Sequence, residues 1–387
     1  ITRDQRQLIP TVRIVSVSER GACRSNGKTD ENVVNVVAMT NQESVVRAIN
    51  LVEVLTEDLE DEGFDVESLN LPSAMTEQPW SDERIRAYFD AVRRGETPTP
   101  TPTPNESLPS LAHPSKELFE KWFPGLARSG TATDSPSRLI VCFPNAGNAE
   151  DMYTSEGSGA RKQPSPLLEY CREHNVQMLA PQYPGRAMRL KDDRVTTAQG
   201  MAEALFEVLA PTLVDSKVPW VLLAHSVGTW ISYEFLLLCK ARAVPMPSRA
   251  FISAMPSPDI PMASRPWRQQ KDLDEAAFKE ECRAWDISEV VFSAAMWPMY
   301  QPLLRADFTM FDEYPEGRVE KFDFPIQSFW GTRDRRVSEA MVMGWANVTS
   351  GAFRIEEVDG NHLWPLDAAA KKAWLGRVVE LLLDDDE

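Results

Sequence analysis

The chain has 387 residues, 43% of them hydrophobic and 26% charged, with a formal net charge of −17. That length allows one large domain plus an extension, and that charge speaks against general affinity for nucleic acid or anionic membrane surfaces. Five widely spaced cysteines, with no CxxC pair and no His–Cys spacing, predict reduced thiols and no metal site.

No run reaches the ~20 apolar residues of a membrane span. The chain starts at Ile1, which leaves a targeting peptide open, so a cytoplasmic location is only the default expectation. "SVVRAINLVEVLTEDL" (44–59) places Val45, Ile49, Val52 and Leu55 near one helical face. "SDERIRAYFDAVRRG" (81–95) predicts a second helix, with Ser81 as N-cap and Gly95 at its end. The stretch "QESVVRAINLVEVLTEDLEDEGFDV" resembles the second helix of an acyl carrier protein, and that resemblance would make Ser44 a phosphopantetheine attachment site. Glu43 and Val45 replace the aspartate and leucine of that motif, and the spacing is one residue longer. The expectation for 1–96 is an acidic, partly ordered extension bearing this carrier-like helix. "TPTPTPTP" (97–104) favours an extended polyproline rod, so 97–115 reads as a linker.

From residue 138 short apolar runs alternate with helical patterns. "RLIVCF" (138–143), "VQMLAPQY" (176–183), "WVLLAH" (220–225), "RAFISAMP" (249–256), "IQSFWG" (326–331) and "FRIEEV" (353–358) read as strands. Between and after them lie helical patterns at 166–175, 198–214, 227–241, 338–348 and 366–383. Buried strands separated by helices predict an α/β domain over 116–387, its mostly parallel sheet covered on both faces. Ligands of such sheets bind beyond the carboxyl ends of the strands.

Ser226 stands where a predicted strand meets a predicted helix, in "AHSVG". A nucleophile elbow has small residues two before and two after the serine, because they nearly touch across the turn; here they are Ala224 and Gly228. A serine hydroxyl needs a positioned imidazole to take its proton. Of four histidines, His113 falls in the linker, His174 at a helix end, and His225 beside the serine with its side chain directed away. His362, in "EVDGNHLW" after the last strand, is the expected base. Asp334, in "FWGTRD", is the expected acid, preferred to Asp307 within a helical pattern and to Asp359, which is too near His362. The backbone N–H groups of Val227 and of Ala146 in "CFPNAGN", with Asn145 as an alternative to Ala146, are the expected oxyanion donors.

"CFPNAGN", "PQYPGRAMRL", "LLAHSVGTWISYEF", "PLLRADFTMFDEY", "GTRDRRV" and "DGNHLW" occur in this order. Together they resemble type II thioesterases, stand-alone α/β-hydrolases that serve polyketide and nonribosomal peptide synthases. The likeness spans about 117–384 and implies an α/β-hydrolase fold with a helical lid. It also implies hydrolysis of acyl thioesters on the phosphopantetheine arm of an acyl or peptidyl carrier protein, with Ser226, Asp334 and His362 as the matching triad. Departures are Asn145 where the family has His or Phe, Asn148 and Ala224 where it has Gly, an insertion "TSEGSGARKQ" (154–163), and the acidic extension.

The interruption at about 258–323 would be the lid, and Trp285, Phe292, Met296, Trp297 and Tyr300 within it are the expected acyl-channel residues. Arg186, Arg189 and Arg335, in two basic loops, are the expected contacts to the carrier. No cofactor is expected, and a monomer is the default. An acyltransferase or cyclase, a carboxylesterase, and a non-catalytic carrier-binding module remain open, since the first two use the same triad.

Overall fold

The computed structural model describes residues 82–94, 111–156, 163–317 and 319–384, together with most of 51–64. The chain divides into two compact units at Glu106/Ser107. In the first, the helix Asp82–Arg93 buries Ile85, Phe89 and Val92, which cluster with Leu55 and Leu59 of the predicted 44–59 helix. Ser44, Ser81, Gly95 and the proline tract lie outside the described residues.

The second unit is built on six strands: β1 (Arg138–Phe143), β2 (Val176–Leu179), β3 (Trp220–His225), β4 (Arg249–Ser253), β5 (Ile326–Gly331) and β6 (Phe353–Val358). They form one sheet in the order β2-β1-β3-β4-β5-β6, every neighbouring pair parallel. Successive side chains of a strand face opposite sides, and the two cores follow that alternation. Leu139, Val141, Phe143, Leu222 and Ala224 enter one core, while Ile140, Cys142, Val221 and Leu223 enter the other.

Helices cover both faces. On the first face lie α1 (Lys116–Trp122), α3 (Ala198–Asp215) and α4 (Val227–Ala241); on the second, α2 (Pro166–Glu173) and α7 (Ala368–Leu383). The α4 sequence is apolar nearly all round, as a helix trapped between sheet and neighbouring helices must be. Caps set several helix starts: Ser165, Thr197 and Asp367 accept from the amides of Leu168, Gly200 and Ala370.

Between β4 and β5 the chain makes a helical excursion holding α5 (Glu275–Ala284) and α6 (Trp297–Asp312). The predicted 338–348 helix is instead a short α-helix, Glu339–Met343, that tightens into a 3₁₀ turn. Described parts of the 154–163 segment pair as a two-stranded ribbon, Ser155–Glu156 with Gln163–Pro164. Among the described residues no helix is long and apolar enough to cross a membrane. Cys142, Cys171, Cys239 and Cys282 are buried and free.

Candidate active site

After β1 the chain crosses to β2 on one side of β1, then returns to β3 on the other, so the connections diverge between β1 and β3. Such a point leaves a crevice at the carboxyl ends of the strands. The loop 143–148 ends β1 there and Ser226 ends β3 beside it.

Ser226 has φ 55° and ψ −134°, a conformation that costs a non-glycine residue about 1–3 kcal/mol. Its amide donates to the Ser253 carbonyl at 2.8 Å, and its hydroxyl caps no amide of α4. The sharp turn explains Gly228: a Cβ there would lie 2.2 Å from the Phe143 carbonyl oxygen. Instead of capping, Ser226 Oγ lies 2.8 Å from His362 Nε2. His362 Nδ1 lies 2.7 Å from Asp334 Oδ2, and all three side chains are buried.

Asp334 Oδ1 accepts from the amides of Arg336 (2.8 Å) and Val337 (3.0 Å). Burial pushes the Asp334 carboxyl up, but the His362 ring and these two amides together hold it below its ordinary value. The four residues named in sequence as serine, acid, base and elbow glycine therefore meet, although they come from the ends of β3, β5 and β6 and the first turns of α4. His113 and His174 do not approach them; His113 pairs with Asp215 and His174 stacks on Tyr170.

A cavity of about 160 Å³ opens on Ser226 and His362. The loop Asn145–Asn148 forms its polar wall, and Ala146 and Val227 N–H groups donate to no described residue. The Asn145 side chain donates to the Ala146 carbonyl and accepts from Asn148, so it shapes the loop from within. Asp307 of α6 accepts from the Gly147 amide at 2.7 Å and from Arg186 at 2.7 Å, and Arg186 also donates to the Asn148 carbonyl. A buried ion pair thus braces the loop from the insertion side.

That brace corrects the expected docking role of Arg186, whose guanidinium is sealed inside. Arg189 is corrected likewise: it is buried over the Trp122 ring and bonded to Asp192 and the Gln182 carbonyl. Their loop charges are consumed by internal partners. Arg335 is exposed, but its guanidinium is held by Asp286.

Of the expected acyl-channel residues, Trp285 and Tyr300 line the cavity. Phe292 and Trp297 do not; their tilted rings pack against each other at 5.5 Å, Phe292 also under Arg283 and Trp297 against Phe278. Met296 is half-buried at the N-terminus of α6 and also outside the cavity wall. The wall also includes Leu304, Phe308 and Phe311, spaced i, i+4, i+7 along α6, with Ile287, Val291, Leu363 and Leu366. That spacing was the available signal. His225 and Asp286, which hold the His362 backbone, carried no such signal.

The family description "Thioesterase domain" matches residues 138–380, 63% of the chain. The chain belongs to the thioesterase domain family. This thioester hydrolase is 28% identical over 247 residues to the gramicidin S biosynthesis protein GrsT of Aneurinibacillus migulanus, covering 63% of this chain and 88% of GrsT. It is 24% identical over 243 residues to the thioesterase PikA5 of Streptomyces venezuelae, covering 62% and 79% of the two chains. Its fold is shared with RedJ, the thioesterase of the prodiginine pathway in Streptomyces coelicolor. The TM-score is 0.55 at 24% identity over 64% of this chain and 90% of RedJ.

Proposed function

We propose that the protein is a serine thioesterase that releases acyl groups from the phosphopantetheine arm of an acyl or peptidyl carrier protein as free acids, serving a polyketide or nonribosomal peptide synthase. The observation that carries this reading is the continuous relay from Ser226 Oγ through the His362 ring to Asp334, with links of 2.8 and 2.7 Å, at the mouth of an apolar cavity. The biosynthetic setting is supported by the likeness to GrsT and PikA5.

In this reading Ser226 Oγ attacks the thioester carbonyl while His362 Nε2 takes its proton, and Asp334 stabilises the imidazolium and fixes its tautomer. Negative charge on the carbonyl oxygen faces the Val227 and Ala146 N–H groups, each such donor typically contributing about 10² to 10³ in rate. Collapse breaks the C–S bond, and the imidazolium protonates the departing sulfur, an undemanding step for a thiol of pKa near 8.5. Water activated by His362 then cleaves the Ser226 ester. The insertion carrying α5 and α6 acts as a lid that supplies the acyl wall.

The test is incubation with acyl-carrier substrates and mass analysis of products and protein. A free acid, with an acyl adduct on Ser226 during turnover and no turnover by Ser226→Ala, is the expected result. A cyclised or transferred product would reassign the acceptor. Full turnover by Ser226→Ala would remove Ser226 from the mechanism.

A further inference from the structure

His362 is held by more than its ring. Its backbone N–H donates to Asp286 Oδ2 at 3.0 Å, and Asp286 belongs to the insertion, just beyond the end of α5. The other carboxylate oxygen of Asp286 accepts from Arg335 Nε at 3.0 Å and Nη2 at 2.5 Å. Arg335 immediately follows Asp334 in sequence, so one carboxylate bridges the loops that carry both the base and the acid. Asp286 has φ 62°, a left-handed conformation that Asp and Asn tolerate better than most residues.

A second tether lies beside the first. Glu281 of α5, fully buried, accepts from Arg336 Nη2 at 2.5 Å and from Arg268. The Arg336 amide is one of the two that hold Asp334. Trp285, between the tethers, meets the His362 ring edge-on at 4.6 Å. Residues 281–286 of the insertion therefore touch the relay at the His362 backbone, the His362 ring and the Asp334 loop.

We propose that Asp286 is a positioning residue for the thioesterase reaction. It aligns the His362 imidazole by holding its amide from the insertion, and lifting of residues 281–286 disengages the base from Ser226. Catalysis is thereby coupled to a seated insertion. The proposal rests on the serine-thioesterase reading and deepens it.

The test uses the full chain with the butyryl thioester of N-acetylcysteamine, and separately the rate at which a fluorophosphonate labels Ser226. Asp286→Gly keeps the left-handed backbone and deletes the acceptor. It should lower kcat by about tenfold or more, with KM within about twofold and labelling slowed in parallel, since small misplacements of a catalytic group cost up to about 10² in rate. Asp286→Asn retains an oxygen for the His362 amide but gives up the charged link to Arg335, so it should fall between the parent and Asp286→Gly in both measurements. A role confined to stability would move neither kcat nor labelling of the folded fraction. Wild-type kcat and labelling in Asp286→Gly, or equal losses in the Asn and Gly variants, would overturn the proposal.

Should Asp286→Gly fail to fold, Arg335→Gln, at an exposed position, decides: slower labelling supports the tether and unchanged labelling rejects it. Ser226→Ala separates the two claims. If it is inactive while Asp286→Gly is unimpaired, only the positioning role falls; if it stays active, the serine mechanism itself falls.

Discussion

His225 Nε2 lies 2.9 Å from the carbonyl oxygen of His362, so the residue preceding Ser226 holds the backbone of the residue read as its base. A carbonyl only accepts, so Nε2 carries the hydrogen, while Nδ1 lies 2.9 Å from the Ser253 hydroxyl, which also reaches the Ala224 carbonyl at 2.9 Å. Replacing His225 by Leu leaves the His362 carbonyl buried without a donor, a loss of about 1–3 kcal/mol. We expect Leu to lower both the denaturation midpoint and kcat. Gln, whose amide nitrogen occupies the Nε2 position, should recover most of each.

The same residue sets a pH dependence. Burial first, then the neighbouring His362, push the His225 pKa down from 6.5 to about 3. The unfolded chain therefore takes up the proton first, and this contribution is whole above pH 6.5 and drains as pH falls toward 3. At pH 5 the loss is about 2 kcal/mol. Asp312 runs the other way: burial raises its carboxyl from 3.8 to about 7, so its contribution is whole below pH 3.8 and drains as pH rises to 7. Between pH 4 and 6.5 the two slopes oppose. Urea titrations should show His225→Gln losing stability as pH rises through that window, and Asp312→Asn losing it as pH falls.

Ser226 trades stability for a projecting hydroxyl. Glycine adopts its φ of 55° without a side-chain penalty. Ser226→Gly is expected to be inactive yet about 1–2 kcal/mol more stable to urea, the signature of strain held at the site.

The Arg186–Asp307 pair offers a third handle. Removing one member leaves the other charged and buried, which typically costs about 3–5 kcal/mol. Arg186→Met should therefore unfold at clearly lower denaturant, and the folded enzyme should show reduced kcat because the Asn145–Asn148 loop loses its brace. If Arg186 instead contacted the carrier, the variant would keep its stability and raise only KM for carrier substrates.

Acyl length should respond to the cavity wall. Phe311→Ala enlarges the cavity that opens on Ser226, and each further methylene buried there contributes up to ~0.8 kcal/mol, about fourfold in kcat/KM. A series of acyl thioesters should show the optimum moving to longer chains. An unchanged optimum would place the acyl group elsewhere.

The six strands were legible because each is a short apolar run bounded by turn residues, and the serine was legible because an elbow constrains the residues on both sides of it. Gly228 illustrates the second point, since the close approach of Phe143 admits no Cβ. The basic loops misled for a physical reason. A charged residue in a polar loop is normally solvated, but Arg186 and Arg189 found a carboxylate and an indole contributed by distant segments. The aromatic run at 285–300 misled similarly: Trp297 shares the helical stripe of Tyr300 and Leu304, but at the first turn of α6 it packs against Phe278 and Phe292 and not on the cavity.

By itself the sequence determined the elements, their alternation, and which serine, aspartate and histidine have the chemistry to act together, because local pattern and turn sterics are written in neighbouring residues. Only the tertiary structure decided which partners support them. His225 beneath the His362 carbonyl, Asp286 on its amide and Asp307 behind the Asn145–Asn148 loop act across 137, 76 and 160 positions of chain. Hydrogen bonds at such separations depend on how layers pack, and no local pattern encodes that.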